Sequence, residues 1–568
     1  MTRGLADELA AHGVQRGTPL ALALVPRRGL ALAWAGGVRQ VQAAEPVEVV
    51  RALADLEPRW TWWSAGRDAR PLVAAGLRLR ACWDLGAVGR LLHGLRRDDA
   101  AAVWAAGHGL PEPAPQTRGG LDLLDLAAED GGPLRVDGQL SREWLGGRWS
   151  DDLGSAEVWA GLMLDLQSRQ ASALDALPDP RPVPRRPRLA VLTALAESAA
   201  ALLGVELEHD GLPLDRDVLD AMLRAVVGER PTHPAHEVAL RATRDDEVLR
   251  HFPGERVDLR NPLLVREMLL RIGLDVPDTR SWRLEPHAAG SPAVAALLAW
   301  RKAERIATTY GYGWLDRNVA GDGRLRGAWN AADGGAGRMT AQAGLHNLPT
   351  ELRPAVRAEP GRVLVRGDLG QVEPRVLAAV SGDAGLARAA REDDMYAPVA
   401  AQLGCDRPTA KVAVLAAMYG QTSGVAGEAL KDMDRSFPTA MAYLRDAEDA
   451  GLRGVDLRTY GGRLLPGVGQ DATHGHGRYF RNAVVQGAAA ELFKAWAVTV
   501  RSELAAIDGQ IVLCLHDELL LQVPAEHADR AGALLASTLE ATAGWWAAGS
   551  PVRFVVEVAT GESWAQAH

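Results

Sequence analysis

The chain has 568 residues, 47% of them hydrophobic and 24% charged, with a formal net charge of -9. The length exceeds one ordinary core and the composition is that of a folded globular protein, which excludes a disordered chain and predicts two or more domains. The negative charge decides nothing about nucleic acid, because phosphate binding follows local Lys and Arg density, as at Arg453 to Arg463 and Arg478 to Arg481. Only three cysteines occur, Cys82, Cys405 and Cys514, too far apart for a disulfide framework or zinc spacing. Acidic residues near the N-terminus (Asp7, Glu8) and the lack of an uninterrupted apolar span of membrane length predict a cytoplasmic chain without a membrane partner.

In chain order, Leu20 to Val25 and Leu30 to Trp34 read as two short strands around Arg27-Arg28-Gly29, a hairpin, followed by Ala- and Leu-rich helical patterns. Leu177 to Pro187 holds five prolines in eleven residues, which predicts an extended connector between domains of about 180 and 380 residues. Leu189 to Leu203 reads as a long helix, Glu208 to Asp215 as a turn, and Asn261-Pro262 as a helix start with Asn as cap. A basic-ended helix is predicted over Pro292 to Tyr310.

Val363, Leu364 and Val365 then form an apolar strand that delivers Asp368 and turns at Gly370 into a helical segment bearing Glu373. Arg407, Lys411, Leu415 and Tyr419 recur every four residues, one stripe on a helix that ends at Gly420, and Arg478, Asn482 and Gln486 repeat that spacing further on. Finally, the segment from Ile511 to Val523 reads as two apolar strands joined at a tight turn that carries His516, Asp517 and Glu518. A lone Asp at a strand end is ordinarily a turn former or cap, and either polar stripe alone is ordinarily a solvated face. Together, carboxylates at two neighbouring strand tips suit a pair of divalent cations, which take oxygen ligands and complete their shells with substrate phosphates. The first stripe suits equally an amphipathic helix with solvated ends and a surface that holds a triphosphate at one end and a base at the other.

These segments resemble the family A DNA polymerases, the group of bacterial DNA polymerase I. Asp368-Leu369-Gly370-Gln371-Val372-Glu373-Pro374-Arg375 is similar to the family's first polymerase motif, Arg407 to Gly420 to its second, and His516-Asp517-Glu518 to its third. Gly337-Arg338-Met339-Thr340 with Leu345-His346-Asn347-Leu348-Pro349 resembles the stretch that lies against the primer-template minor groove. The resemblance implies an α/β multidomain fold. Its parts would be a small RNase H-like, 3′-5′ exonuclease-like domain at 1–176, the Pro-rich linker at 177–188, and a right-hand polymerase domain at 189–568. That hand would comprise a helical thumb at about 189–320, an antiparallel-sheet palm at about 321–384 and 456–568, and helical fingers at about 385–455, without a 5′-nuclease domain.

The implied activity is templated addition of deoxynucleotides to a primer 3′ end by a cytoplasmic, monomeric bacterial enzyme of DNA repair or replication. Its partners would be a DNA primer-template and deoxynucleoside triphosphates, and its cofactor two Mg2+ ions, with Mn2+ able to substitute. Asp368, Asp517 and the Leu369 carbonyl would hold the ions. Arg407 and Lys411 would neutralise the triphosphate, with Lys411 also protonating the departing pyrophosphate, and Glu518 would support the primer end or a metal-bound water. Gln371, Leu415, Tyr419 and His516 would line the nucleotide and primer end, and Glu373 would select deoxyribose. Arg338, Asn347, Gly420, Arg478, Asn482 and Gln486 would contact nucleic acid.

The sequence departs from the family pattern in four places. Leu369 and Gly370 replace Tyr and Ser, Tyr396 replaces a triphosphate-contacting His, and Leu415 replaces the aromatic packed against Glu373. The last predicts looser sugar discrimination. In the first domain, the hairpin between Thr18 and Ala44 has no acidic residue and all seven tyrosines lie at or beyond Tyr310, so Asp68 alone survives of a proofreading cluster. Loss of proofreading is expected. The readings set against this one are a catalytically weak primer-template binder, an RNA-synthesising relative, and a two-metal nuclease.

Overall fold

The computed structural model describes residues 2–114, 131–252, 254, 256–420 and 425–567. Two compact units emerge: Met1–Asp210 with Ala328–Thr340 and Val365–Thr560, and Gly211–Gly327 with Ala341–Leu364 and Gly561–His568.

In the first unit the predicted hairpin forms as Pro19–Val25 and Gly29–Trp34, in a five-stranded sheet of order Gly37–Gln42, Gly29–Trp34, Pro19–Val25, Arg59–Trp62, Cys82–Asp84. Strand alternation sorts its side chains into two layers. Ala21, Ala23, Ala31 and Ala33 face a core with Trp63, Trp83, Trp104, Trp144 and Trp159, while Leu20, Leu22, Leu30 and Leu32 face Leu9, Val50, Leu53 and Trp60. The alanine layer leaves room for the helix Leu153–Ala176 to lie close, and tryptophans fill what remains, with Trp63 and Trp159 centroids 5.0 Å apart.

Two carboxylates near the ends of its strands, Asp68 and Asp84, are engaged within the fold. Asp68 pairs with Arg67 at 2.8 Å and accepts the Ser64 amide at 3.1 Å. Asp84, deeply buried, accepts the Ala65 and Ala87 amides at 2.6 and 2.8 Å as a helix cap, and burial pushes its carboxyl up to about 7.

The Pro-rich connector differs from the expected extended spacer. It winds around Arg181, whose fully buried guanidinium pairs with Asp179 at 2.6 Å and donates to the carbonyls of Arg185, Pro187 and Trp545, while Val183 bonds Ala548. Proline lacks the N–H that would pair these carbonyls locally, so the arginine does so. The next helix also differs. It runs from Leu189 to Asp210, past the predicted stop, and belongs to the first unit. By length and composition it could cross a membrane, but it is mostly buried as a core helix, with Glu197 at its centre. There Glu197 meets Lys494 at 2.6 Å and Arg463 at 2.7 Å, all three nearly inaccessible.

A four-stranded sheet of order Gln510–Cys514, Glu518–Pro524, Arg362–Leu369, Val556–Gly561 carries both predicted carboxylate segments. The predicted fingers are helical, including Tyr396–Leu403, Arg407–Tyr419 and Pro438–Leu452. The second unit is mainly helical around Val248, Phe252, Met268, Leu284, Leu297 and Trp300. Asn261 caps Pro262–Arg271 as predicted, accepting the Leu263 amide at 3.0 Å.

Candidate active site

Asp368 stands at the end of strand Arg362–Leu369, and Asp517 in the turn between Gln510–Cys514 and Glu518–Pro524. The Leu369 amide donates to the Asp517 carbonyl at 2.8 Å, which fixes the two positions side by side on adjacent strands. Two glycines permit this packing. A Cβ on Gly367 would meet Leu535 Cδ1 at 3.0 Å, and one on Gly370 would meet Val555 Cγ2 at 2.9 Å, so the valine occupies the room that a serine would need.

The cluster is short of positive charge. Burial and the neighbouring Asp517, Glu518 and Glu557 push the Asp368 carboxyl up to about 6 against the pull of Arg366. Desolvation and Glu518 likewise raise the Asp517 carboxyl, although its side chain reaches solvent. Such a deficit is what a divalent cation relieves, so the donor set fits one. Among the described residues no three carboxylate, histidine or cysteine groups form a ready-made cage.

One test follows from linkage. A carboxyl whose folded pKa lies above its unfolded value contributes stability that is complete below the unfolded pKa and is lost as pH rises through about 6. In EDTA, Asp368→Asn is therefore expected to melt higher than wild type near about pH 7.5, by roughly 1–3 kcal/mol, and the gain should vanish by about pH 4. Thermal unfolding at the two pH values checks it.

Four predicted residues from separate segments form a chain of contacts. Arg338 donates to Glu373 Oε1 at 2.5 Å, Tyr419 donates to Glu373 Oε2 at 3.3 Å, and Gln486 donates to the Tyr419 hydroxyl at 3.5 Å. The aromatic that reaches Glu373 is thus Tyr419, one turn beyond Leu415. The helix Arg407–Tyr419 is capped by Asp406 and ends at Gly420 with φ 64°. It buries Ala410, Ala413, Val414 and Ala417, and leaves Arg407, Lys411 and Tyr419 exposed with Leu415 half-buried, so the predicted stripe faces outward. Arg407 is nevertheless held, its Nε 2.6 Å from Asp394, whose other contacts include the Gln371 amide at 3.0 Å. Tyr396 is buried beneath that guanidinium, whose carbon lies 5.7 Å from the tyrosine ring centroid, and burial pushes its hydroxyl up to about 12.

On the helix His474–Leu504, Arg478 is exposed and Asn482 and Gln486 are half-buried. His516 is exposed at the Asp517 turn. Asn347 belongs to the second unit, where its carbonyl accepts the Tyr310 hydroxyl at 2.6 Å.

Three supporting residues escaped sequence reasoning. Arg366 pairs with Asp368 and, through Nε at 3.0 Å, with Glu518, where Glu518 was expected to face the primer end. Arg375 is wholly buried and donates to the carbonyls of Gly370, Ala390, Glu392, Asp393 and Arg553, clamping the turn after Asp368. Glu557 adds charge from the edge strand. For Arg366, the period of two along the strand was the available signal, since it places Arg366 on the face of Asp368.

A mixed α/β fold with paired carboxylates on neighbouring strands and a cationic helix stripe has a recognisable counterpart. Residues 272–566 match the family model for DNA polymerase family A, just over half of the chain, and the chain belongs to that family. It is 30% identical over 323 residues to a thermostable DNA polymerase I of Thermus filiformis, covering 51% of this chain and 38% of the relative. To DNA polymerase I of Lactococcus lactis it is 27% identical over 360 residues, covering 55% of this chain and 40% of the relative. The matched region thus spans about two fifths of these relatives' length. The fold is also that of a solved polymerase domain of Pol1 from M. smegmatis, described as a complex with DNA primer-template and dNTP, with a TM-score of 0.65 at 20% identity over 99% of this chain and 98% of that one.

Proposed function

We propose that the chain is a template-directed DNA polymerase that extends a primer 3′ end with deoxynucleotides, in the bacterial cytoplasm. The observation that carries this reading is the joining of Asp368, Asp517, Glu373, Tyr419, Arg338 and Gln486, from five separate segments, beside the ends of the two central strands of one sheet. The family and the relatives, DNA polymerases I by description, support it.

Asp368, Asp517 and the Leu369 carbonyl would hold the divalent ions, Mg2+ in the first instance. Bound there, such ions activate the primer hydroxyl and neutralise the triphosphate. Lys411 meets the triphosphate from the exposed stripe and donates a proton to the leaving pyrophosphate. Arg407 joins it by exchanging Asp394 for phosphate, a swap between two charge-assisted pairs. Glu373, fixed between Arg338 and Tyr419, would stand at the sugar 2′ position, where a carboxylate whose oxygens are already engaged rejects a hydroxyl by crowding. Arg478, Asn482 and Gln486 line the strand path, with Gly420 beside them: a Cβ at Gly420 would lie 3.3 Å from Arg481 Cδ.

Primer extension on a DNA template tests this, with deoxy- and ribonucleotides offered separately to wild type and Asp517→Ala. Wild type should extend with deoxynucleotides, and the variant should bind without extending. With nucleotides omitted, the primer should stay intact, since Asp68 and Asp84 are committed to backbone amides. Extension by Asp517→Ala at the wild-type rate would refute the site.

Leu415 offers no flat surface to an incoming sugar or base, and the aromatic hydrogen-bonded to Glu373 is Tyr419. Leu415→Phe is expected to raise the deoxy-over-ribo preference in kcat/KM by roughly 5–30-fold, the worth of about 1–2 kcal/mol of added packing. An unchanged or lower preference would show that Leu415 does not set it.

A further inference from the structure

Arg366 lies two residues before Asp368 on one strand, so their side chains leave the same face. Its guanidinium bridges two acids, Nη2 on Asp368 and Nε 3.0 Å from Glu518, and only 12% of its side chain is exposed. Arginine does not lose its proton in proteins, so this is a permanent monocation inside the carboxylate cluster. A pure Arg366–Glu518 strut would leave Asp368 free. Here Asp368 is engaged as well, and an ion that takes Asp368 must first break a charge-assisted hydrogen bond in a poorly solvated place.

Resting on the polymerase reading of the site, we propose that Arg366 is a positioning residue that acts as an internal counter-cation. It holds Asp368 and Glu518 in place without metal and weakens capture of free divalent ions. The site then selects an ion that arrives already bound to a triphosphate, because the nucleotide brings the remaining ligands together with favourable contacts to the cationic stripe. Release of Asp368 leaves Arg366 with Glu518, so the guanidinium stays paired throughout.

The test is Mn2+ binding to the full chain, followed by electron paramagnetic resonance without DNA or nucleotide. Wild type, Arg366→Gln, Arg366→Lys and Asp368→Asn are compared, with melting curves as a check on folding. Arg366→Gln is expected to bind Mn2+ about tenfold more tightly than wild type or better. Asp368→Asn in either background should abolish the gain, and dATP with a dideoxy-terminated primer-template should narrow the gap. Arg366→Lys keeps the charge but cannot fork across two acids, so it should fall between, and it carries the test if the glutamine variant does not fold. If Arg366→Gln binds no more tightly than wild type, or, should it not fold, if Arg366→Lys binds no more tightly, while Asp368→Asn still abolishes binding, the counter-cation role is overturned and the site stands. Mn2+ binding indifferent to Asp368 would overturn the site itself.

Discussion

Asp517→Ala is expected to slow primer extension by about 10³-fold or more while primer-template affinity stays within a few-fold. The backbone geometry does not depend on this side chain, because the Leu369 amide bonds the Asp517 carbonyl, which any residue retains. Nor should the variant unfold. Burial and Glu518 hold the Asp517 carboxyl above its ordinary range, so removing it relieves repulsion in the metal-free protein. Lost activity with equal or higher melting temperature therefore points to chemistry and not to collapse. Asp368→Asn should cost about as much, and the double variant little more than either single one, since two ligands of one centre act as a unit. Single-turnover extension with the four proteins, alongside equilibrium binding to primer-template, checks both statements.

Glu197→Ala is expected to destabilise the first unit by about 3–5 kcal/mol, the usual effect of stripping one partner from a buried ion network. Glu197 is 1% exposed and is shared by Lys494 and Arg463, themselves at 1% and 4%. Burial works to raise its carboxyl, and Arg463 with Lys494 overcomes this and holds it below the ordinary range. Burial pushes the Lys494 ammonium down to about 8 against the pull of Glu197. Without Glu197 two cations would face each other with Glu491 acting on both, itself raised to about 7 by burial and engaged by Thr459 and Gly461. Lys494 would shed its proton and Arg463 could not. A double variant, Glu197→Leu with Lys494→Met, should recover part of the loss by replacing one pair with packing. Chemical denaturation of the variants reads these differences, and an effect under about 1 kcal/mol would show that the network contributes little.

The sequence carried the site's centre and its exposed stripe because both follow simple periods. The strand delivered Asp368, the turn delivered Asp517, and four-residue spacing placed Arg407, Lys411 and Tyr419 on the outward face of their helix. Contacts between segments remote in the chain were not legible. Nothing local to Leu415 or Tyr419 says which of them meets Glu373, since a turn of helix separates them and the choice depends on where the first turn of the helix Val372–Ser381, 46 residues upstream of Tyr419, stands. Arg366 and Arg375 looked like ordinary charged residues around a motif, yet one is spent on two carboxylates and the other on five carbonyls. The Pro-rich segment misled for the same reason. Its composition describes a free peptide, and the buried Arg181 makes it part of the fold.

The most direct measurement is incorporation of a single nucleotide opposite each template base, by wild type with Mg2+ and an unpaired template overhang. The expected result is addition of the complementary deoxynucleotide, changing with the template base and absent in Asp368→Asn. Stable primer-template binding with no templated addition under Mg2+ or Mn2+ would contradict the assignment and leave a DNA-binding protein on a polymerase fold.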